Sequence, residues 1–246
     1  MRAVADLRWD VPSDTLLEEL VQAPLPLGLR AGRPRHTFHR DLYFDTPEGD
    51  LRRAGAACRL RFDVEDRRWL VLEVPGATRS EAPVAELDPP AIFQGHTEPA
   101  RRLRALVDPA RLALQLELTV VRRLRRARLP IVPAGQFVLA YDTITAHAGE
   151  AGATFQELVA WRDRWGVIPL ARLAGAVTRR YGLTAAPLPR VERAAALMVA
   201  QERRDSGPAP GPRQVAVVAV AHGRMALRRL GAVLQLPLED GGGEEA

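Results

Sequence analysis

"LYFDTPEGDLRRAGAACRLR", residues 42–61, decides how the chain is read. An apolar run ends in Tyr43-Phe44-Asp45, Thr46 and Pro47 follow, Gly55 breaks the chain, and a second run carries Arg59 and Arg61 at alternate positions. Thr before Pro reads as a helix start, because the first helical position leaves its N–H unsatisfied and Pro has none to lose. Glycine after so short a helix suits the left-handed conformation that ends one. The stretch therefore predicts strand, short helix, strand, with Asp45 close to a pair of arginines on the neighbouring strand. Such a placement is either a connector with a solvated ion pair or part of the lining of an anion-binding barrel.

Alternation sharpens the choice. In a strand successive side chains point to opposite faces. Arg59, Arg61 and Asp63 share one face, Cys58, Leu60 and Phe62 the other, and Tyr43 and Asp45 share a face of the preceding strand. Antiparallel sheets commonly give one face to water, so these arginines alone fit a solvated surface. Pointed inward, they need partners or a ligand. A second run, "VVRRLRRARL" at 120–129, has Arg123 and Arg125 on one face and Arg122, Arg126 and Arg128 on the other. Arginine on both faces fits an edge strand, where charge discourages aggregation. It also fits a barrel with a polar interior, where guanidinium forks match phosphate oxygens.

Outward from these runs, residues 3–9 read as a strand and Ser13 as the cap of a helix carrying Leu16, Leu17 and Leu20. Strands are predicted at 36–45, 56–64, 68–75 and 78–88, a short helix in "EPARRLRALV", a hairpin of 113–129 and 136–147 turning at "PIVPAGQ", and a strand in "GATFQELVAWRDR". Helices follow at about 168–181 and 190–204. The fold class is α+β, mainly β: an antiparallel, tunnel-like barrel of eight strands with flanking helices, plus a C-terminal helix. The expected organisation is a domain at 1–204, a Pro/Gly linker at 205–213, and a basic helix with a polar tail at 214–246.

Composition limits the chemistry. The 35 basic residues are all arginine, set against 30 acids for a net charge of +5, so no lysine nucleophile or base exists. The single cysteine, Cys58, excludes an internal disulfide. Arg2, Asp6 and Arg8 argue against a signal peptide, and no run of 18 apolar residues is present, which predicts a cytoplasmic protein with no membrane span. His36, His39, His96 and His147 show no metal-ligand spacing and read as structural or exposed. Trp9, Trp69, Trp161 and Trp165 are not interleaved with one basic stripe, so a nucleic acid partner is not expected.

Tyr43, Asp45, Thr46, Pro47, Leu51, Gly55, Ala56, Arg59 and Arg61 together resemble the CYTH family, the triphosphate tunnel metalloenzymes, and the element order agrees over about residues 3–200. The resemblance implies an eight-stranded antiparallel tunnel in which basic residues bind a triphosphate and acids hold Mg2+ or Mn2+. Family members hydrolyse inorganic or thiamine triphosphate or cyclise ATP. Carried over, it implies phosphate contacts from Arg8, Arg59, Arg61, Arg79, Arg123, Arg125 and Arg190, and a metal held by Asp6, Asp142 and Glu157. Three positions depart from the pattern: Val4 and Val159 stand where carboxylates belong, and Pro75 where a tunnel lysine belongs. The resemblance thus implies a domain that binds triphosphate, polyphosphate or a nucleotide, with weakened metal-dependent hydrolysis. The alternatives are a non-catalytic binder and a structural interaction domain. "RMALRRL" at 224–230 resembles the opening of a CHAD domain, a helical module linked to polyphosphate, although His222 stands two residues before Arg224 rather than three and Gly231 replaces a basic residue. That segment is either a truncated CHAD module, which would make a CHAD-containing chain a possible partner, or a generic basic helix.

Overall fold

Residues 6–130 and 135–205 are described by the computed structural model. Strand β1 (Asp6–Val11) runs into helix α1 (Asp14–Gln22) at Ser13, whose hydroxyl accepts from the Leu16 N–H at 3.2 Å. The two-residue β2 (Arg30–Ala31), β3 (Arg35–Asp45), α2 (Asp50–Arg53), β4 (Ala57–Asp63), β5 (Arg68–Glu73) and β6 (Ser80–Pro83) follow. Next come α3 (Pro89–Gln94), α4 (Glu98–Arg104), the long strands β7 (Ala113–Arg128), β8 (Gly135–Ala148) and β9 (Ala151–Arg162), and helices α5 (Leu170–Tyr181) and α6 (Arg190–Asp205). The linker and the CHAD-like segment expected beyond residue 205 lie outside the described residues, as does Val4. No helix among the described residues is long and apolar enough to cross a membrane.

All the strands join one antiparallel sheet in the order β1-β9-β8-β7-β3-β4-β5-β6, with β2 paired to β7. Eight strands lie along the path, as expected, and β2 makes a ninth. Closure is the difference: among the described residues no ladder joins β6 to β1, so the sheet is open rather than a hydrogen-bonded barrel. β7 is not an edge. It lies between β3 and β8, so its arginines have another cause.

Apolar alternation divides the core among three clusters. Phe137, Leu139 and Tyr141 of β8 and Leu158 and Ala160 of β9 pack on Leu17, Leu20 and Val21 of α1 and Leu173 and Val177 of α5. Leu42, Phe44, Cys58, Leu60, Leu70 and Leu72 pack on the same side of the sheet against α2, α3 and α4 through Leu51, Ile92, Phe93, Ala100 and Leu103. The opposite face, called the inner face below, carries Leu116, Leu118, Val120, Ile144 and Phe155 and is covered by Ala194 and Met198 of α6.

Asp45 does not join the arginines. Its Oδ1 accepts from the Thr46 N–H at 2.7 Å and the Leu51 N–H at 2.9 Å, and its Oδ2 from the Arg52 N–H at 3.1 Å. Thr46 Oγ1 accepts from the Asp50 N–H at 3.0 Å. The helix therefore begins at Asp50, after a turn through Gly49 at φ 74°, and not at Pro47. A carboxylate aimed at exposed N–H groups stabilises a helix start through hydrogen bonds and through the helix dipole. Gly55 ends the motif at φ 67°, and a Cβ there would lie 2.8 Å from Pro75 Cγ, so conformation and packing both require glycine. Asp45→Ala is expected to lower unfolding stability by about 1–2 kcal/mol, the usual range for losing such a cap. It should leave any anion affinity of the inner face unchanged. Denaturant melts and a binding titration check the two halves separately.

Candidate functional site

Register decides which side chains meet on the inner face. Tyr43 is opposite Arg59, and Asp41 is opposite Arg61. On the other wing a single row crosses the sheet, from Thr37 through Arg122, Asp142 and Glu157 to Asp10. α6 starts directly after Pro189, whose carbonyl accepts from the Arg193 N–H at 2.9 Å, and its first turn sets Arg190 and Arg193 over that row.

The first group centres on Asp41, which is 1% exposed. Arg61 grips it with both prongs, Nε to Oδ1 at 2.7 Å and Nη2 to Oδ2 at 2.6 Å, while Arg59 Nε stands 3.4 Å from Oδ2. Arg59 continues to Glu73 at 2.9 Å, and its guanidinium lies 5.6 Å from the Tyr43 ring centre. Burial alone would raise the Asp41 carboxyl, yet the Arg61 hydrogen bonds and the Arg59 charge hold it well below the usual range. His39, two residues earlier, has its Nε2 3.9 Å from Asp41 Oδ2.

The second group centres on Asp142 and Glu157, both at 0% exposure. Arg122 forks onto Asp142 at 2.7 and 2.6 Å. Arg190 Nη2 bridges Asp142 Oδ2 at 2.7 Å and Glu157 Oε2 at 2.8 Å. Arg193 reaches Glu157 at 3.5 Å and Asp10 at 2.9 Å, over the Phe155 ring at 4.6 Å. Burial pushes the Asp142 carboxyl up, but the bonds and charges of Arg122 and Arg190 outweigh it and lower it. Burial would likewise lower Arg190, and the charges of Asp142 and Glu157 reverse that.

Of the arginines expected to bind phosphate, Arg59, Arg61 and Arg190 lie in these groups. Arg79 stands at the margin, paired with Glu81 at 2.6 Å. Arg8 is in register with Val159, one step along the inner face from Asp10. Arg123 and Arg125 point to the other side of β7, toward α1: Arg123 pairs with Glu18, and Arg125 donates to the Val21 carbonyl. Parity along β7 makes Arg122 the inner residue. Arg193 and Asp10 belong to the site but carry no sequence motif. His39 lies on the inner face because it alternates with Asp41 and Tyr43.

Of the three expected metal ligands, Asp142 and Glu157 lie side by side and Asp6 does not join them. Asp6 is exposed, opposite Trp161 and four residues along β1 from the carboxylate row. Asp142 and Glu157 spend their oxygens on guanidinium donors. Among the described residues no group of three or more His, Cys, Asp or Glu is arranged to hold a metal ion.

A comparison with curated proteins finds no match. Among solved structures, one described as a candidate adenylate cyclase of Bacillus halodurans aligns with a TM-score of 0.57 at 15% identity, covering 78% of this chain and 96% of that one. Another, a candidate adenylyl cyclase of Hippeastrum with a dominant triphosphatase activity, aligns with a TM-score of 0.55 at 16% identity, covering 83% and 97%. At these identities the likeness is one of fold. The CYTH domain family matches residues 12–145, more than half of the sequence. The chain belongs to the CYTH family.

Proposed function

We propose that the inner face binds triphosphate or polyphosphate, with little or no hydrolysis. One observation carries this reading: each fully buried carboxylate has more than one arginine partner. Asp41 is held by Arg61 and approached by Arg59, and Asp142 is held by Arg122 and Arg190. In each pair one guanidinium is the more accessible, Arg61 at 21% and Arg122 at 18%, against 6% for Arg59 and 13% for Arg190. An entering phosphate can recruit Arg61 and Arg122 while neither carboxylate is left bare. The family relation supports a triphosphate-bearing ligand over other anions.

CYTH enzymes generally use divalent metals, and the donor set here does not fit one. Mg2+ needs free oxygen ligands in near-octahedral array. Here the buried carboxylate oxygens already accept from arginines, and Val159 stands where a further carboxylate belongs. Arginine cannot act as a base at neutral pH. Affinity and turnover are thereby separated.

A structural reading also has an observation in its favour: apart from Arg8, every inner-face arginine named above already has a carboxylate partner in the protein. The two readings differ in calorimetric titration with inorganic triphosphate. Arg61→Gln and Arg122→Gln should each weaken binding by about 1.5–3 kcal/mol, and added salt should weaken it further. Unchanged affinity in both variants would favour the structural reading. In a phosphate-release assay the parent should show no release that Mg2+ or Mn2+ stimulates or a chelator abolishes. Rapid, chelator-sensitive release that Glu157→Gln removes would overturn the binder reading in favour of an enzyme.

Under either reading His39 makes stability depend on pH. Burial, together with the positive charges of Arg61, Arg122 and Arg190, lowers its imidazole from 6.5 to about 3, against the opposing pull of Asp41. The unfolded chain then binds the proton between those values, so stability is full above the unfolded pKa and declines as pH falls. Between neutral pH and about pH 5 the parent should lose on the order of 2 kcal/mol more than His39→Gln. Denaturant melts of both proteins at the two pH values measure the difference.

A further inference from the structure

His39 is 6% exposed, and its Nε2 is buried with no hydrogen-bond partner among the described residues. A buried polar nitrogen without a partner is costly, and such an atom calls for an explanation. Asp41 lies nearby, but at 3.9 Å its Oδ2 is beyond hydrogen-bond reach and is already taken by Arg61. The imidazole therefore sits between the two arginine groups with an unused position on a face crowded with positive charge. Its charged surroundings are Asp41 and Tyr43 on β3, Arg59, Arg61 and Asp63 on β4, Arg122 on β7, Asp142 on β8, Glu157 on β9, and Arg190 and Arg193 on α6.

We propose that His39 is the proton-linked contact of the inner face: its unpartnered Nε2 takes up a proton when the phosphoryl oxygens of a triphosphate enter among Arg61, Arg122 and Arg190. The proposal rests on the triphosphate-binding reading and adds its regulation by pH. The balance is simple. One proton moves from solvent to the imidazole, no covalent bond to phosphorus changes, and Nε2–H becomes a charged donor to a phosphoryl oxygen. The same arginines that disfavour an imidazolium are neutralised by the incoming anion, so the protonated form becomes the favoured one. By linkage, triphosphate then binds more tightly as pH falls through the titration of the bound state.

The test is calorimetric titration of inorganic triphosphate near pH 6 in two buffers of different ionisation enthalpy. Triphosphate itself titrates in this range, so the informative quantity is the difference between the parent and His39→Gln, in which the side chain keeps a donor but cannot ionise. The expected difference is up to about one additional proton taken up per triphosphate by the parent. Imidazole NMR of the parent gives a second reading that requires no variant to fold. The His39 ring signal should stay flat from about pH 5 to 8 in the protein alone and titrate in that range with triphosphate present. Equal proton uptake in the two proteins, or a His39 signal that titrates without triphosphate, overturns this inference and leaves the binding reading standing. A parent that binds no triphosphate overturns both.

Discussion

Asp142 and Glu157 are carboxylates with no exposure to solvent, and much of the inner face is arranged around that fact. A buried charge is tolerated only when it is paired and hydrogen-bonded, and breaking one partner of a buried pair typically costs about 3–5 kcal/mol. The partners come from two places, Arg122 on β7 and Arg190 and Arg193 on α6. This fixes where α6 lies. Arg190, Ala194 and Met198 are spaced four apart and so share one helix face. Once Arg190 bridges the two carboxylates, Ala194 and Met198 fall onto Leu116, Leu118, Val120 and Ile144. Ion pair and apolar contact specify the same docking, so a slide of α6 along the sheet would lose both.

The same parity that brings charge inward keeps it out of the outer core. β7 carries arginine on both faces because both faces offer partners: Asp142 on one side, Glu18 and the end of α1 on the other. Its position between β3 and β8 excludes an edge-strand role for these charges. The arginine fork suits both environments, gripping a buried carboxylate in two-pronged fashion and, on the outer side, reaching a helix-end carbonyl.

Much of the element order could be read from the chain, because it follows local rules. Ser13 caps a helix, Gly55 turns the backbone, and the helices expected at 168–181 and 190–204 appear as Leu170–Tyr181 and Arg190–Asp205. Residues 42–61 fold as strand, helix, strand. Sequence could not say what Asp45 faces, because a carboxylate at the end of a strand can serve the next helix or the next strand with equal chemistry. Nor could alternation choose between Arg122 and Arg123, since it sorts residues into two faces without saying which is inner. That assignment comes from register against Asp41 and Asp142. Asp10 and Arg193 join the site only through pairing of β1 with β9 and docking of α6, both distant in sequence. Asp6 was the acid that the family pattern pointed to, yet the strand carries it past the carboxylate row to an exposed position opposite Trp161.

The doubled partners bear on what the face can do. A single arginine per carboxylate would make every ligand contact a choice between the anion and the fold, because a guanidinium drawn to phosphate would leave a buried charge behind. With two, Arg59 and Arg190 remain beside the carboxylates if the more accessible Arg61 and Arg122, which grip them, turn away. The arrangement also disfavours a metal, since a cation would have to displace arginines that already satisfy the same oxygens while solvation of the ion is lost. Two cationic solutions to one pair of buried carboxylates compete, and here the covalently tethered one, Arg190, is present at fixed geometry and needs no binding entropy. Under the binding reading, a face that neutralises its own acids in this way leaves Arg61 and Arg122 accessible to a polyanion without baring a buried carboxylate.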